Sequence, residues 1–276
     1  MVLNAALLAG WALNWHAMAA ASKWQAYYTR GMLPWDSGKV SSQLAFYICT
    51  CIQPQQHSIR KDSATVVSSS TGNSSLICPV PADASMQLHI CSSCASRKPA
   101  ARSSVLEIGC GTGGSAIWLA QQGFRVTAID IIQEALDQAA NAAANASLCS
   151  NNPKFILHDV MKLHELGRSC YDMIYDCQVY HALLKDVPDA QVQLPQLLFD
   201  TLKPGGFLFL LTGNANEPEI GPSVLTAEQL LNPLLQVGFQ VVMLHQSRFD
   251  STAYYAQVLG KRPLAWWLVA QRPLST

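Results

Sequence analysis

A chain of 276 residues that is half hydrophobic can bury one large core, and it falls within the range of a single large domain with attachments. Eighteen basic residues balance eighteen acidic ones, and no basic stripe offers the electrostatic footprint that nucleic acid requires. Nine cysteines, an odd count, argue against a secreted domain built on disulfides.

Residues 1–22 hold no Lys, Arg, Asp or Glu. A secretory signal needs a basic start, which is missing. Asn4, Asn14 and His16 disfavour a membrane span in so short a stretch, and no stable membrane insertion is expected. The reading is an alanine-rich helix running toward Trp24, in a cytoplasmic protein, or an organellar one if the uncharged start is part of a targeting segment. Trp24 and Tyr28 lie four apart and share a helix face. Pro34 ends that helix, because the residue before a proline is pushed out of the helical region. Trp24, Tyr28 and Trp35 present aromatic faces, which attract cations. Residues 1–50 read as a helical lid segment on the spacing of these aromatics, the alternative being ordinary packing aromatics on an amphipathic helix.

Residues 51–101 show no sustained period and are rich in serine and small residues, which reads as an inserted, disordered loop. His89, Cys91 and Cys94 stand in it, after Cys49, Cys51 and Cys78. A Cys-x-x-Cys pair is half of a zinc site, but the other half lacks the spacing, so no metal is expected.

From residue 102 the pattern becomes regular. Val105, Leu106 and Ile108 form an apolar run broken only by Glu107; Gly109, Gly111, Gly113 and Gly114 follow, and then the helical pattern Ala116, Ile117, Leu119, Ala120. Strand, glycine turn and helix make the first crossover of a nucleotide-binding α/β domain. Glycines admit φ > 0 and let a ligand approach the backbone, and the helix start offers free N–H groups to an anion. The glycines also satisfy G-x-G-x-x-G, so a dinucleotide competes for the turn. Glu107 weighs against that reading, since a carboxylate at the strand end suits a ligand that carries positive charge.

Arg125–Asp130 is a second strand, whose terminal acid is placed to accept hydrogen bonds from ribose hydroxyls. Lys154–Val160 is a third, with Asp159 near its end, and Tyr171–Asp176 a fourth. Their acids converge on the carboxyl edge of a parallel sheet, where ligands of such folds bind. Tyr180 and His181 stand just past the fourth strand, His181 as a candidate general base and Tyr180 as a candidate substrate-binding residue.

Leu194–Leu202 reads as an amphipathic helix stopped by the turn Lys203–Gly206, and Phe207–Leu211 as a strand buried on both faces. Thr226 is a candidate N-cap for a helix that Gly238 stops. Gln240–His245 and Ala265–Ala270 are expected to close the sheet as an antiparallel hairpin, and the turn-rich loop Gly213–Ser223 to wall the substrate site.

These motifs, in this order, resemble the class I methyltransferases that use S-adenosylmethionine. VLEIGCGTGG is similar to their first motif, YDMIYDCQVYHAL to the fourth-strand segment and LKPGG to the turn before the fifth strand, over roughly residues 102–272. The resemblance implies a Rossmann-like, doubly wound, mostly parallel seven-stranded sheet with a closing antiparallel strand and helices on both faces. It implies S-adenosylmethionine as cofactor, with Asp130 at the ribose and Asp159 near the adenine amino group. The segment Trp24, Tyr28, Gly31, Pro34, Trp35, Asp36, Gly38 resembles the N-terminal part of the thiopurine, thiol and halide methyltransferases, where it folds over the cofactor. The candidate cofactor-binding residues are Trp24, Trp35, Glu107, Gly109, Gly111, Gly113, Asp130, Ile131, Asp159, Val160 and Asp176.

The expected function is methyl transfer to a small molecule, a thiol or another soft nucleophile, by a methyltransferase domain spanning residues 102–276. Positioning does most of the work in such an in-line displacement, and a thiolate needs no protein base. An oxygen or nitrogen acceptor would use His181 as base. From other classes, a dinucleotide-dependent oxidoreductase and a non-catalytic cofactor-binding regulator remain alternatives. No nucleic-acid partner is expected.

Overall fold

In the computed structural model, which describes residues 22–52, 103–146, 148, 151–218 and 223–274, the apolar runs pair into one sheet. Its strands are β1 (Ser104–Ile108), β2 (Arg125–Asp130), β3 (Lys154–Leu157), β4 (Tyr171–Cys177), β5 (Leu202–Asn214), β6 (Val224–Leu225), β7 (Gln240–Arg248) and β8 (Leu264–Gln271). The spatial order is β3-β2-β1-β4-β5-β8-β7, with β6 paired to the end of β5. Strands β1 to β5 run parallel to one another, whereas β8 runs antiparallel to both β5 and β7. The seven-stranded expectation holds, and the two-residue β6 is the eighth strand.

The helices are α1 (residues 22–29), α2 (Ser42–Tyr47), α3 (Gly114–Gln121), α4 (Gln133–Asn145), α5 (Tyr180–Asp186), α6 (Ala190–Thr201) and α7 (Ala227–Gln236). Alternation along β5 separates two cores. Phe207, Phe209 and Leu211 join one with Leu119, Phe124 and Trp267, while Leu208 and Leu210 join the other with Leu106, Leu198 and Leu268. That is the signature of a strand covered on both faces. Leu44, Tyr47 and Ile48 belong to the first core, and the Tyr47 ring stands 5.1 Å from Phe209. The N-terminal segment thus packs on the sheet through apolar burial.

Two local expectations are corrected. The third strand stops at Leu157, because Asp159 caps a 3-10 turn (Val160–Leu166) by accepting from the Met161 N–H. The stretch Lys203–Gly206 is no turn but a bulge within β5. Tyr171 pairs with Leu202, the register then jumps to Met173 with Phe207, and Gly205 absorbs the irregularity at φ +82°. The helix before it begins at Ala190, earlier than expected.

Thr226 caps α7 as expected. Its hydroxyl accepts from the Gln229 N–H at 3.1 Å, and the Gln229 side chain accepts from the Thr226 N–H at 2.9 Å. Thr226→Ala is expected to cost about 0.5–2 kcal/mol, read as a lower denaturant midpoint at unchanged slope.

The expected helix over residues 1–22 lies, apart from Ser22, outside the described residues. So does the expected insert beyond Ile52, with His89, Cys78, Cys91 and Cys94. No helix among the described residues is long and apolar enough to cross a membrane.

Candidate active site

β1 lies inside the sheet, with β2 on one side and β4 on the other, so the crossovers diverge there and open a crevice at the strand ends. The chain leaving β1 takes the left-handed region at Gly109 (φ +59°), Gly111 (+55°) and Gly113 (+82°). Asp130 holds this turn in place: one carboxylate oxygen accepts from the Gly111 N–H at 2.9 Å and the other from the Ile132 N–H at 3.0 Å. Each oxygen keeps a further lone pair for a ligand.

Ligand approach alone does not account for the glycines. A Cβ at Gly109 would stand 2.1 Å from Val179 Cγ2, and one at Gly113 would stand 2.8 Å from the Ala139 methyl. At Gly114 it would meet the backbone of Gly38 and Lys39, both at 2.8 Å. Three of the four are glycine because protein packs against them.

The N-terminal segment supplies the contact at Gly114. Asp36 accepts from the Gly38 N–H and from the Thr112 hydroxyl, both at 2.6 Å, which ties the segment to the glycine turn. Trp35 meets Trp24 edge-on at 5.1 Å and Tyr27 at 4.9 Å, building an aromatic wall. Across the cleft, Lys23 pairs with Asp186 at the end of α5 at 3.0 Å.

Between these parts lies a cavity of about 390 Å³. Trp24, Trp35, Glu107, Gly109, Gly111, Asp130, Ile131, Asp159, Val160 and His181 line it; Gly113, Asp176 and Tyr180 do not.

Glu107 is the outstanding charge. It is only 5% exposed, and one oxygen, Oε2, has no hydrogen-bond partner among the described residues. Burial, then the nearby Asp130, push its carboxyl well above the ordinary range, against the pull of the Ala116 N–H. Burial raises Asp130 too, opposed by the N–H groups of Gly111 and Ile132. Two buried carboxyls, one with an oxygen unpartnered among the described residues, thus form an acidic floor to the cavity.

Asp176 serves the fold. Fully buried, it accepts from the Val179 N–H at 2.9 Å and the Tyr180 N–H at 3.1 Å, fixing the start of α5. Burial pushes its carboxyl up to about 7. Tyr180 is corrected as a substrate-binding candidate: its side chain is fully buried in the core with Leu194 and Leu198, and its hydroxyl has no partner among the described residues.

The next residue does reach the cleft. His181 Nδ1 accepts from the Gly213 N–H of β5 at 3.0 Å, and Phe249 stands edge-on at 6.3 Å. Burial, with Lys185 nearby, pushes the imidazole down to about 3, so the ring is neutral. With its Nδ1 lone pair committed to Gly213, the ring carries its proton on Nε2. That corrects the expectation of a general base at this position.

Gln178 escaped the sequence reading. It sits in the left-handed region (φ +75°) at the end of β4. Its amide donates to the Trp35 carbonyl and its carbonyl accepts from the Tyr255 hydroxyl, both at 3.3 Å. No local pattern signals a residue that joins two walls of a cleft.

Residues 105–206 match the family model of the methyltransferase domain. The ubiquinone biosynthesis O-methyltransferase of Shewanella halifaxensis is 32% identical over 134 residues, covering 49% of this chain and 53% of that relative. The tRNA 5-carboxymethoxyuridine methyltransferase of Escherichia coli K12 is 34% identical over 112 residues, or 41% of each chain. The chain thus spans about half the length, or less, of these curated relatives. A solved SAM-dependent methyltransferase from Methanosarcina mazei shares the fold, with a TM-score of 0.54 at 22% identity over 63% of this chain and 94% of that one. The sheet order, the acid-floored glycine turn and the family match agree: residues 105–206 match a methyltransferase domain, on a sheet whose fold is shared with that solved methyltransferase.

Proposed function

We propose that this protein transfers the methyl group of S-adenosylmethionine to a small-molecule acceptor, a thiol or another soft nucleophile. The observation that carries the first half is Glu107: a buried carboxylate oxygen without a partner, on the cavity, beside Asp130. This donor set fits the cofactor. Glu107 would take its ammonium group, and the open lone pairs of Asp130 its ribose hydroxyls. The rings of Trp24 and Trp35 offer faces to positive charge. When bound, the cofactor would supply an electrophilic methyl group on a sulfonium, to be taken by the acceptor's lone pair, with the carbon–sulfur electrons returning to sulfur.

The protein's own part is binding, orientation and exclusion of water. The aromatic wall from Trp24 to Trp35 and the Asp36 tie cover the glycine turn. On the acceptor side, His181 has no lone pair free to take a proton. A thiol, with an unperturbed pKa of roughly 8.5, ionises in solvent without help. The resemblance of the segment from Trp24 to Gly38 to the thiol and thiopurine methyltransferases supports the same acceptor class.

An oxygen acceptor is the second reading, favoured by the ubiquinone O-methyltransferase relative. Against the tRNA reading stand the zero net charge and a cavity the size of a small-molecule site.

Isothermal titration with S-adenosylmethionine and NAD(H) tests the cofactor, and binding of NAD(H) alone would reverse the reading. Asp130→Ala is expected to weaken S-adenosylmethionine binding by about 1.5–3 kcal/mol through lost charge-assisted bonds. An unchanged dissociation constant removes Asp130 from the site. Turnover of a panel of thiols, halides and phenols, followed by S-adenosylhomocysteine release, separates the acceptor classes.

A further inference from the structure

The geometry points to His181 as a fixed hydrogen-bond donor that holds the acceptor's nucleophilic atom and selects acceptors that arrive already ionised, thiolates foremost. This role rests on the methyl-transfer reading above.

The donor is fixed by backbone. Gly213 is locked in the sheet, paired with Val224 of β6 and Ala265 of β8. A Cβ on it would lie 2.0 Å from the Ser223 carbonyl oxygen, so nothing larger than glycine fits this crossing. An N–H so placed can only donate, and Nδ1 must meet it with a lone pair. A proton on Nδ1 would set N–H against N–H. The remaining ring proton therefore sits on Nε2. Among the described residues Nε2 has no partner, and the ring lines the cavity. Its N–H is left for whatever occupies the cleft.

The neighbouring groups do not change that assignment. Burial keeps Cys177 and Tyr255 protonated. Asp250 is engaged by the N–H and hydroxyl of Ser42, both at 2.7 Å. Lys185, on the same helix, favours a neutral ring, and Lys39 adds a further positive charge to the cavity wall.

A pure donor discriminates by charge. An anionic sulfur or oxygen gains a charge-assisted hydrogen bond from Nε2–H and keeps a lone pair for the methyl carbon. A neutral hydroxyl finds no acceptor for its proton at this ring. The acceptor's proton is lost to solvent before entry, so no proton is transferred in the cleft. Ordinary alcohols are excluded, and thiols, a few per cent thiolate at neutral pH and more above it, are admitted.

Two measurements test this. Nitrogen-15 NMR of the free protein labelled at histidine reads the tautomer directly, with His181 assigned by the loss of its signals in His181→Gln. The expected result is neutral, Nε2-protonated His181 from about pH 8 down to about pH 5. An Nδ1–H tautomer, or titration within that range, overturns the proposal.

Turnover with substituted benzenethiols and matched phenols is expected to follow each acceptor's ionised fraction. His181→Phe should lose about 10- to 100-fold in kcat/KM with an unchanged pH profile, and His181→Gln, which keeps an N–H, should recover most of it. Loss of a pH limb in His181→Phe, or equal turnover of acceptors that stay neutral, overturns the donor role. No turnover with any acceptor overturns the methyl-transfer reading and this proposal together. Turnover of thiols with a titrating His181 overturns this proposal alone.

Discussion

Glu107→Gln is expected to weaken S-adenosylmethionine binding by about 2–4 kcal/mol, roughly 30- to 1000-fold in Kd, without lowering stability. The two halves share one cause. Glu107 is buried with Oε2 unpartnered, and its carboxyl is pushed well above the ordinary range by burial. Its folded-state pKa therefore exceeds its unfolded one, so the folded protein holds a proton that the unfolded chain has lost. The contribution is most favourable at low pH and declines as pH rises from the ordinary carboxylate range toward the raised value. Glutamine has nothing to ionise, and thermal unfolding across pH should show the variant gaining on the native protein as pH rises. Binding a cation requires the ionised form, so cofactor binding should release a proton. The calorimetric enthalpy should then vary with the buffer's ionisation enthalpy in the native protein and not in the variant. An unchanged Kd in Glu107→Gln would remove the carboxylate from the site.

Gly109→Ala is expected to be among the most damaging single methyl additions in the chain. The left-handed backbone at φ +59° costs a non-glycine residue about 1–2 kcal/mol. The methyl would also lie 2.1 Å from Val179 Cγ2, adding overpacking of about 1–3 kcal/mol. Denaturant unfolding of Gly109→Ala, Val179→Ala and the double variant separates the two. The double variant should recover the packing part and keep the backbone part. Strictly additive costs would show that the two side chains do not meet.

The fold was legible where burial is local and periodic. The run Arg125–Asp130 became β2 residue for residue, and the alternation from Phe207 to Leu211 became a strand shared by two cores. Thr226 followed by Gln229 announced its helix start. Legibility ended where a side chain's role is set from far along the chain. His181 is a donor because of Gly213, 32 residues later, and nothing beside His181 in sequence carries that information. Tyr180 and His181 look alike as neighbours after a strand, but α5 begins at Tyr180. Successive helical residues point about 100° apart, so one enters the core and the other the cleft. Asp130 was read as a ligand for ribose, while its hold on the glycine turn depends on backbone N–H groups that no side-chain pattern reveals. The bulge at Lys203–Gly206 reads like a stop signal because the same glycines serve turns and bulges alike.

The close approach of Gly114 to Gly38 bears on how this protein can be recombined. Residues 22–52 look like an exchangeable appendage, far in sequence from the glycine turn. Yet the last glycine of the best-known loop in the fold is shaped by that appendage, backbone against backbone. The two pieces are therefore a matched pair. A chimera that imports another N-terminal segment must import its glycine at the Gly38 position and its acid at the Asp36 position. One that changes Gly114 must redesign the segment as well. The natural unit of exchange is the segment together with the turn it grips.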